Sequence, residues 1–302
     1  MNWLVFALSA QFLYALVNHL DKYLLGKFFK GGVGAMMIFT AMVNAIFLPI
    51  ILILNPQILS TPWDQALLVT SIGGFYVIGA LLYLYALRIE ETTKISVLWQ
   101  LSAPITYFLG IIFLGELLNF QQTLGAIIVL IGGLLTMIHI EGGKFRIKKK
   151  VLTLMFSAVL LFSSSSIIFK VFAINFDFWS AVFFEILGAM LTGIVLILVV
   201  PNYRQQFLSA IKKDSLKVFS YNLPNEYMQM SATILFRYAT LIAPLALVQV
   251  TNSINAIFVF LIAIFIAKFL PRISEEKFNK VDIFQKVLGI IVVTIGIILI
   301  EI

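Results

Sequence analysis

Five polar side chains, Asn222, Glu226, Gln229, Thr233 and Arg237, follow one another at intervals of four, three, four and four residues. That spacing places all five on one face of an α-helix. The surrounding sequence is apolar, and a polar group in hydrocarbon is costly unless it is paired or faces water. A carboxylate, a guanidinium, two amides and a hydroxyl on one face can hold a small polar solute by hydrogen bonds. Glu226, near the centre of its apolar stretch, can carry a proton or touch a cation. Two readings of the stripe stay open: it lines a cavity, or neighbouring helices satisfy it. Glu226 and Arg237 lie about 16 Å apart at helical rise and do not pair directly. Glu185, in the preceding apolar stretch, can approach Arg237, either as a second proton-coupling candidate or as a structural ion-pair partner.

A second polar set comprises Gln249, Thr251, Asn252, Ser253 and Asn255, with Trp99, Gln100 and Ser102 in an earlier apolar stretch. Amides and an indole ring suit hydrogen bonding and stacking against a solute, and equally suit polar contacts between helices. The candidate substrate-binding residues are therefore Glu226, Asn222, Gln229, Thr233, Arg237, Asn252, Asn255, Trp99 and Gln100. The run Ser163–Ser166 allows close helix packing or presents hydroxyls to a cavity. Asn18, His19, Asp21 and Lys22 form a polar helix end, and Lys22 and Lys170 are placed to attract an anionic group. His19 and His139 stand apart, and cysteine is absent. No metal site, disulfide, catalytic constellation or cofactor is expected.

The elements that must carry these residues follow from composition. With 61% hydrophobic and 12% charged residues over 302 positions and a mean hydropathy of +1.05, the chain lacks the charge to cover a soluble domain. Ten apolar spans are predicted near 2–20, 33–54, 65–87, 94–115, 121–140, 151–173, 178–200, 217–240, 243–267 and 282–301, each long enough to cross hydrocarbon about 30 Å thick. The fold class is an all-α polytopic membrane protein. The N-terminus has no basic region or small-residue cleavage site, so the first span is expected to be retained. The segments 203–213 and 274–286 mix charge with spaced apolar residues and lie on the membrane surface or in solvated loops. The net charge of +7 points to cytoplasmic loops and anionic lipid headgroups rather than nucleic acid.

Nineteen of the 21 Lys and Arg fall on connections after odd-numbered spans or at the adjoining ends of the next spans, and the other two are Lys170 and Arg237. The positive-inside rule then puts those connections in the cytoplasm and both termini outside. The sequence also repeats. Gly125-Ala-Ile-Ile-Val-Leu-Ile-Gly132 returns as Gly289-Ile-Ile-Val-Val-Thr-Ile-Gly296, and at an offset of 153 Tyr85-Ala86 falls on Tyr238-Ala239. Five spans per half make the second half inverted, with a pseudo-two-fold axis in the membrane plane. The expected halves are 1–143 and 151–302, joined by the basic linker 144–150. The stripe belongs to the second half alone, since its counterparts are Val69, Gly73, Tyr76, Ala80 and Leu84.

The stretch Tyr85-Ala86-Leu87, Ser96-Val97-Leu98, Pro104-Ile105, Phe113-Leu114-Gly115-Glu116 and Gln122-Thr123-Leu124-Gly125 resembles the repeat of the drug/metabolite transporter superfamily, in its ten-helix EamA-type members. The second half departs from it, with Lys268-Phe269 in place of Gly115-Glu116 and Ile257 in place of Pro104. The resemblance implies a bundle around a cavity lined by the first, third and fourth spans and their counterparts, with the fifth and tenth peripheral. It also implies a transporter in the cell (inner or plasma) membrane that exports an amino acid or related polar metabolite by alternating access. Proton coupling and uncoupled facilitation both stay open. Its partners would be the solute and membrane lipids, and it would act as a monomer or homodimer. The alternatives are a membrane-embedded enzyme acting on lipid-linked phosphates and a non-transporting membrane subunit.

Orientation is directly testable, because single cysteines can be placed in a chain that has none. At Lys148 and Gln57, labelled with an impermeant maleimide on intact cells, reaction is expected at 57 and protection at 148; the reverse pattern overturns the assignment.

Overall fold

The computed structural model of the chain describes residues 2–27, 32–90, 92–137, 148–269 and 280–301. Among the described residues there are helices and no strands. They are α1 (Trp3–Lys27), α2 (Val33–Asn44), α3 (Phe47–Leu54), α4 (Trp63–Ile89), α5 (Thr92–Trp99), α6 (Ser102–Leu114), α7 (Phe120–Met137), α8 (Lys149–Asn175), α9 (Phe178–Val199), α10 (Pro201–Ile242), α11 (Leu245–Val250), α12 (Asn252–Phe269) and α13 (Lys280–Glu301), with a 3-10 turn at Pro56–Ser60. Nine stretches among the described residues are long and apolar enough to cross a membrane. The protein is thus an all-helical polytopic membrane protein. Most of the expected linker 144–150, His139 and much of the segment 274–286 lie outside the described residues, as does the Lys22 side chain.

Three of the expected spans are interrupted. The second is split into α2 and α3, the fourth into α5 and α6, and the ninth into α11 and α12. Proline explains the first two. Pro49 has no N–H to give the Ala45 carbonyl, and Pro104 has none for Gln100. The chain tightens there into i→i−3 bonds, Ile46 N–H to Val43 O at 3.1 Å and Leu101 N–H to Leu98 O at 3.2 Å. The third break has no proline; Thr251 Oγ1 donates to the Val248 carbonyl at 2.6 Å, a side-chain competitor for the helical ladder.

The span expected at 217–240 differs more. It is the later part of α10, one helix of 42 residues, about 63 Å long. The segment 203–213 is its first turns rather than a separate surface element. Pro201 sits at the start of α10, where a missing N–H costs nothing, and no glycine occurs after it to stop the helix.

Packing positions the stripe. α1 lies against α10 and α12, α8 lies against α4 and α6, α2 packs on α10 and α9, and α13 packs chiefly on α7. At the α7–α13 crossing a Cβ on Gly125 would come within 2.8 Å of the Gly296 carbonyl oxygen, and one on Gly132 within 3.0 Å of that of Gly289. Only glycine permits backbones this close. Gly115 ends α6 in the left-handed region at φ +67°, and its N–H and that of Glu116 cap the Ile111 and Gly110 carbonyls. Lys268 stands at the matching position of the second half. A side chain disfavours φ > 0, and α12 runs on through Phe269.

Candidate functional site

The Arg237 end of the stripe, called outer for the expected orientation with Asn222 at the inner end, is locked. Arg237 donates through Nε to Glu185 Oε2 at 3.2 Å and through Nη2 to Glu185 Oε1, and reaches Ser166 Oγ at 3.1 Å and Ser165 Oγ at 3.0 Å. Its guanidinium also stands 4.6 Å from the Phe169 ring centroid, a cation–π contact. α8, α9 and α10 are joined at this point. A buried pair is held only when its remaining donors are also met, and the two serines meet them.

The middle of the stripe touches the first half. Tyr14 donates to Thr233 Oγ1 at 3.1 Å, and Gln229 Nε2 donates to the Tyr76 hydroxyl at 3.3 Å. Tyr76 packs edge-on against Phe162, which packs on Trp99, which packs on Tyr83, with ring centroids 5.5, 5.2 and 5.2 Å apart. Trp99 is therefore part of an aromatic wall beside Gln229.

The inner end is held less completely. Glu226 is 2% exposed, and Asn222 and Asn225 1% each. Thr40 of α2 donates to Glu226 Oε1 at 2.6 Å, and Asn225 Nδ2 donates to Asp21 Oδ1 of α1 at 2.6 Å. Asn44, four residues on from Thr40, is the last residue of α2. Yet Glu226 Oε2, both amide atoms of Asn222, and the Oδ1 atoms of Asn44 and Asn225 have no hydrogen-bond partner. Buried polar atoms without partners are rare and costly.

The residues of the second set bind one another. Gln11 of α1 donates to Asn252 Oδ1 at 2.8 Å, Asn252 donates to Gln249 Oε1 at 2.7 Å, and Asn255 donates to the Gln11 carbonyl at 3.0 Å. Asn18 donates to Asn255 at 3.0 Å. Gln100 accepts from Ser253 at 2.7 Å, which joins the break between α5 and α6 to the start of α12. At the α6 cap Glu116 accepts from the Leu245 N–H at 2.7 Å and pairs with Lys170, which also donates to the Ala243 carbonyl at 2.7 Å. Lys170 is thus engaged by a carboxylate.

The structure therefore brings Asn222, Glu226, Gln229, Thr233 and Arg237 onto one face, as their spacing requires, but gives them three different environments. Asn252 and Asn255 belong to a network centred on Gln11, which reaches the Arg237 partner Ser166 through Gln249, while Gln100 pairs with Ser253 apart from it. The sequence reading omits Gln11, Tyr14, Thr40, Asn44, Tyr76 and Asn225. Gln11 and Asn44 carry the same signal as the stripe, an amide inside an apolar span, without its repetition.

The model of the EamA-like transporter family matches residues 1–138. A crystal structure of another protein, 14% identical, superposes with a TM-score of 0.65 over 99% of this chain and 96% of that one, which shows a common fold. No match is found among curated proteins. The matched stretch contains Pro104 and Gly115-Glu116.

Arg237→Met or Glu185→Leu, each leaving one buried charge alone, should cost about 3–5 kcal/mol of stability. The double variant should recover most of it, because no lone charge remains. Thermal unfolding in detergent checks this; additive losses in the double variant would mean that the two residues act separately.

Proposed function

We propose that the chain, whose residues 1–138 match the EamA-like transporter family, is a secondary transporter of the drug/metabolite type moving a small polar metabolite by alternating access. The observation that carries this reading is the inner end of the stripe. A buried carboxylate oxygen and a whole buried amide face no protein partner where α10 of the second half meets α1 and α2 of the first. Such groups need water, a proton or a solute during the working cycle. The amides Asn222 and Gln229, the hydroxyl of Thr233 and the ring of Trp99 suit an amino acid or a related compound, which we read as exported.

Alternating access needs two bodies able to rock. The reading of ten helices in two inverted halves, 1–143 and 151–302, takes α10 as the span beyond the nine apolar stretches. It is supported by pairs that a two-fold axis produces, in which related residues meet each other. Gln229 and Tyr76 stand 153 positions apart and touch, as do Ser253 and Gln100. Gly125 lies by Gly296 and Gly132 by Gly289, a reciprocal arrangement of the recurring motif. Rocking would part the Thr233–Tyr14 and Gln229–Tyr76 contacts, while the Arg237–Glu185 pair moves as one piece within the second half. The same reading puts the protein in the cell membrane with both termini outside, as a monomer or homodimer, and makes Glu226 the coupling residue.

A thermal-shift screen against a metabolite library would nominate the solute, and its flux in proteoliposomes would follow. Glu226→Gln should keep the fold and abolish either substrate binding or the pH dependence of flux. Unchanged flux across a pH series would reduce Glu226 to a structural hydrogen-bonding residue. Release of a soluble product without solute movement would favour the enzyme reading instead.

A further inference from the structure

Four of the five unpartnered atoms at the inner end of the stripe are oxygens: Oδ1 of Asn44, Asn222 and Asn225, and Oε2 of Glu226. One of the amide orientations is fixed chemically: Asn225 Nδ2 faces Asp21. An ionised carboxylate only accepts, so reversing that amide would set oxygen against oxygen. The free atom of Asn225 is therefore its oxygen. The four oxygens come from α2 and α10, with Asp21 of α1 behind them. Among the described residues no Lys, Arg or His forms an ion pair with Glu226 or Asp21.

We propose that Glu226, Asn222, Asn225 and Asn44 form a binding site for a monovalent cation of the Na+ type. Hard cations take oxygen ligands, and neutral carbonyl oxygens can replace the hydration shell of an alkali ion. The donor set argues for a monovalent ion: one unpartnered carboxylate oxygen, from Glu226, with three neutral amide oxygens. Ca2+ sites gather more carboxylates, and Mg2+ keeps its waters and demands octahedral geometry. No group of three His, Cys, Asp or Glu that could hold a metal ion occurs among the described residues. The backbone adds to the attraction: Asn44 ends α2 at the break set by Pro49, and the carbonyl end of a helix carries partial negative charge. The unpartnered Asn222 Nδ2 is left for water or solute beside the ion.

This site deepens the transport reading, because it names the coupling ion and rests on the same inner end. Binding is measured first without any solute. The purified full-length protein in detergent should bind radiolabelled Na+ saturably, displaced by unlabelled Na+. NaCl should raise its melting temperature above choline chloride at equal ionic strength, since a ligand of the folded state stabilises it. Glu226→Gln should abolish both effects. Asn44→Val, at the half-buried edge of the cluster, should weaken binding about 10- to 100-fold, the range for losing a contact to a charged group. Equal displacement by K+ would keep the site monovalent, and displacement by Ca2+ at lower concentration would overturn that assignment. The proposal falls if the wild-type chain shows neither saturable Na+ binding nor a Na+-specific melting shift, or if both variants bind as the wild type does. Flux in Na+-free proteoliposomes separates the two ideas. Solute movement without Na+ binding leaves the transporter and removes the cation site; Na+ binding without movement of any solute keeps the site and removes the transporter.

Discussion

A polar side chain carried into hydrocarbon must be met by a partner or by water, and the arrangement of α10 follows from how that requirement is answered along one face. At the outer end it is answered fully, by the Arg237–Glu185 pair with Ser165 and Ser166. In the middle it is answered by single contacts to tyrosines of the first half. At the inner end it is answered in part, and buried oxygens stay unpartnered. The gradient from complete to incomplete satisfaction separates a structural anchor from a working site. The anchor joins α8, α9 and α10, whereas the unpartnered end lies where α10 meets α1 and α2.

Backbone devices place that working end. Pro49 breaks the second span just beyond Asn44, and Pro104 breaks the fourth beside Gln100. Gly115 turns the chain after α6 so that Glu116 reaches the Leu245 N–H and Lys170 of the second half. A break recurs at Thr251, between α11 and α12, but Lys268 rather than glycine stands 153 positions after Gly115.

Helical periodicity made the stripe legible in the sequence, because five polar residues at spacing of three and four cannot be hidden in an apolar span. Relative depth made Glu185 visible as a partner for Arg237. The inner site was less legible. Thr40, Asn44 and Asn225 are single polar residues whose significance depends on which helix lies opposite, and that is set by tertiary packing. Asp21 reads from sequence as a helix end in water, yet α1 continues to Lys27 and holds Asp21 against Asn225. Composition suggested a loop before residue 217, but charged residues with good helix propensity let α10 run straight through it. Nothing in a single chain tells a surface loop from a helix extending past the membrane when no Gly or Pro intervenes.

The central claim is that the inner end of the stripe meets water or solute while the outer end stays dry. Single cysteines at 222, 225, 229, 233 and 240 in the otherwise Cys-free chain, treated in membranes with a small aqueous thiol reagent, test it most directly. The account predicts fast reaction at 222 and 225, slower reaction at 229 and 233, and none at 240, beside the Arg237 anchor. Uniform inertness from 222 to 233, or faster reaction at 240 than at 222, would contradict it and make the stripe a packed polar interface.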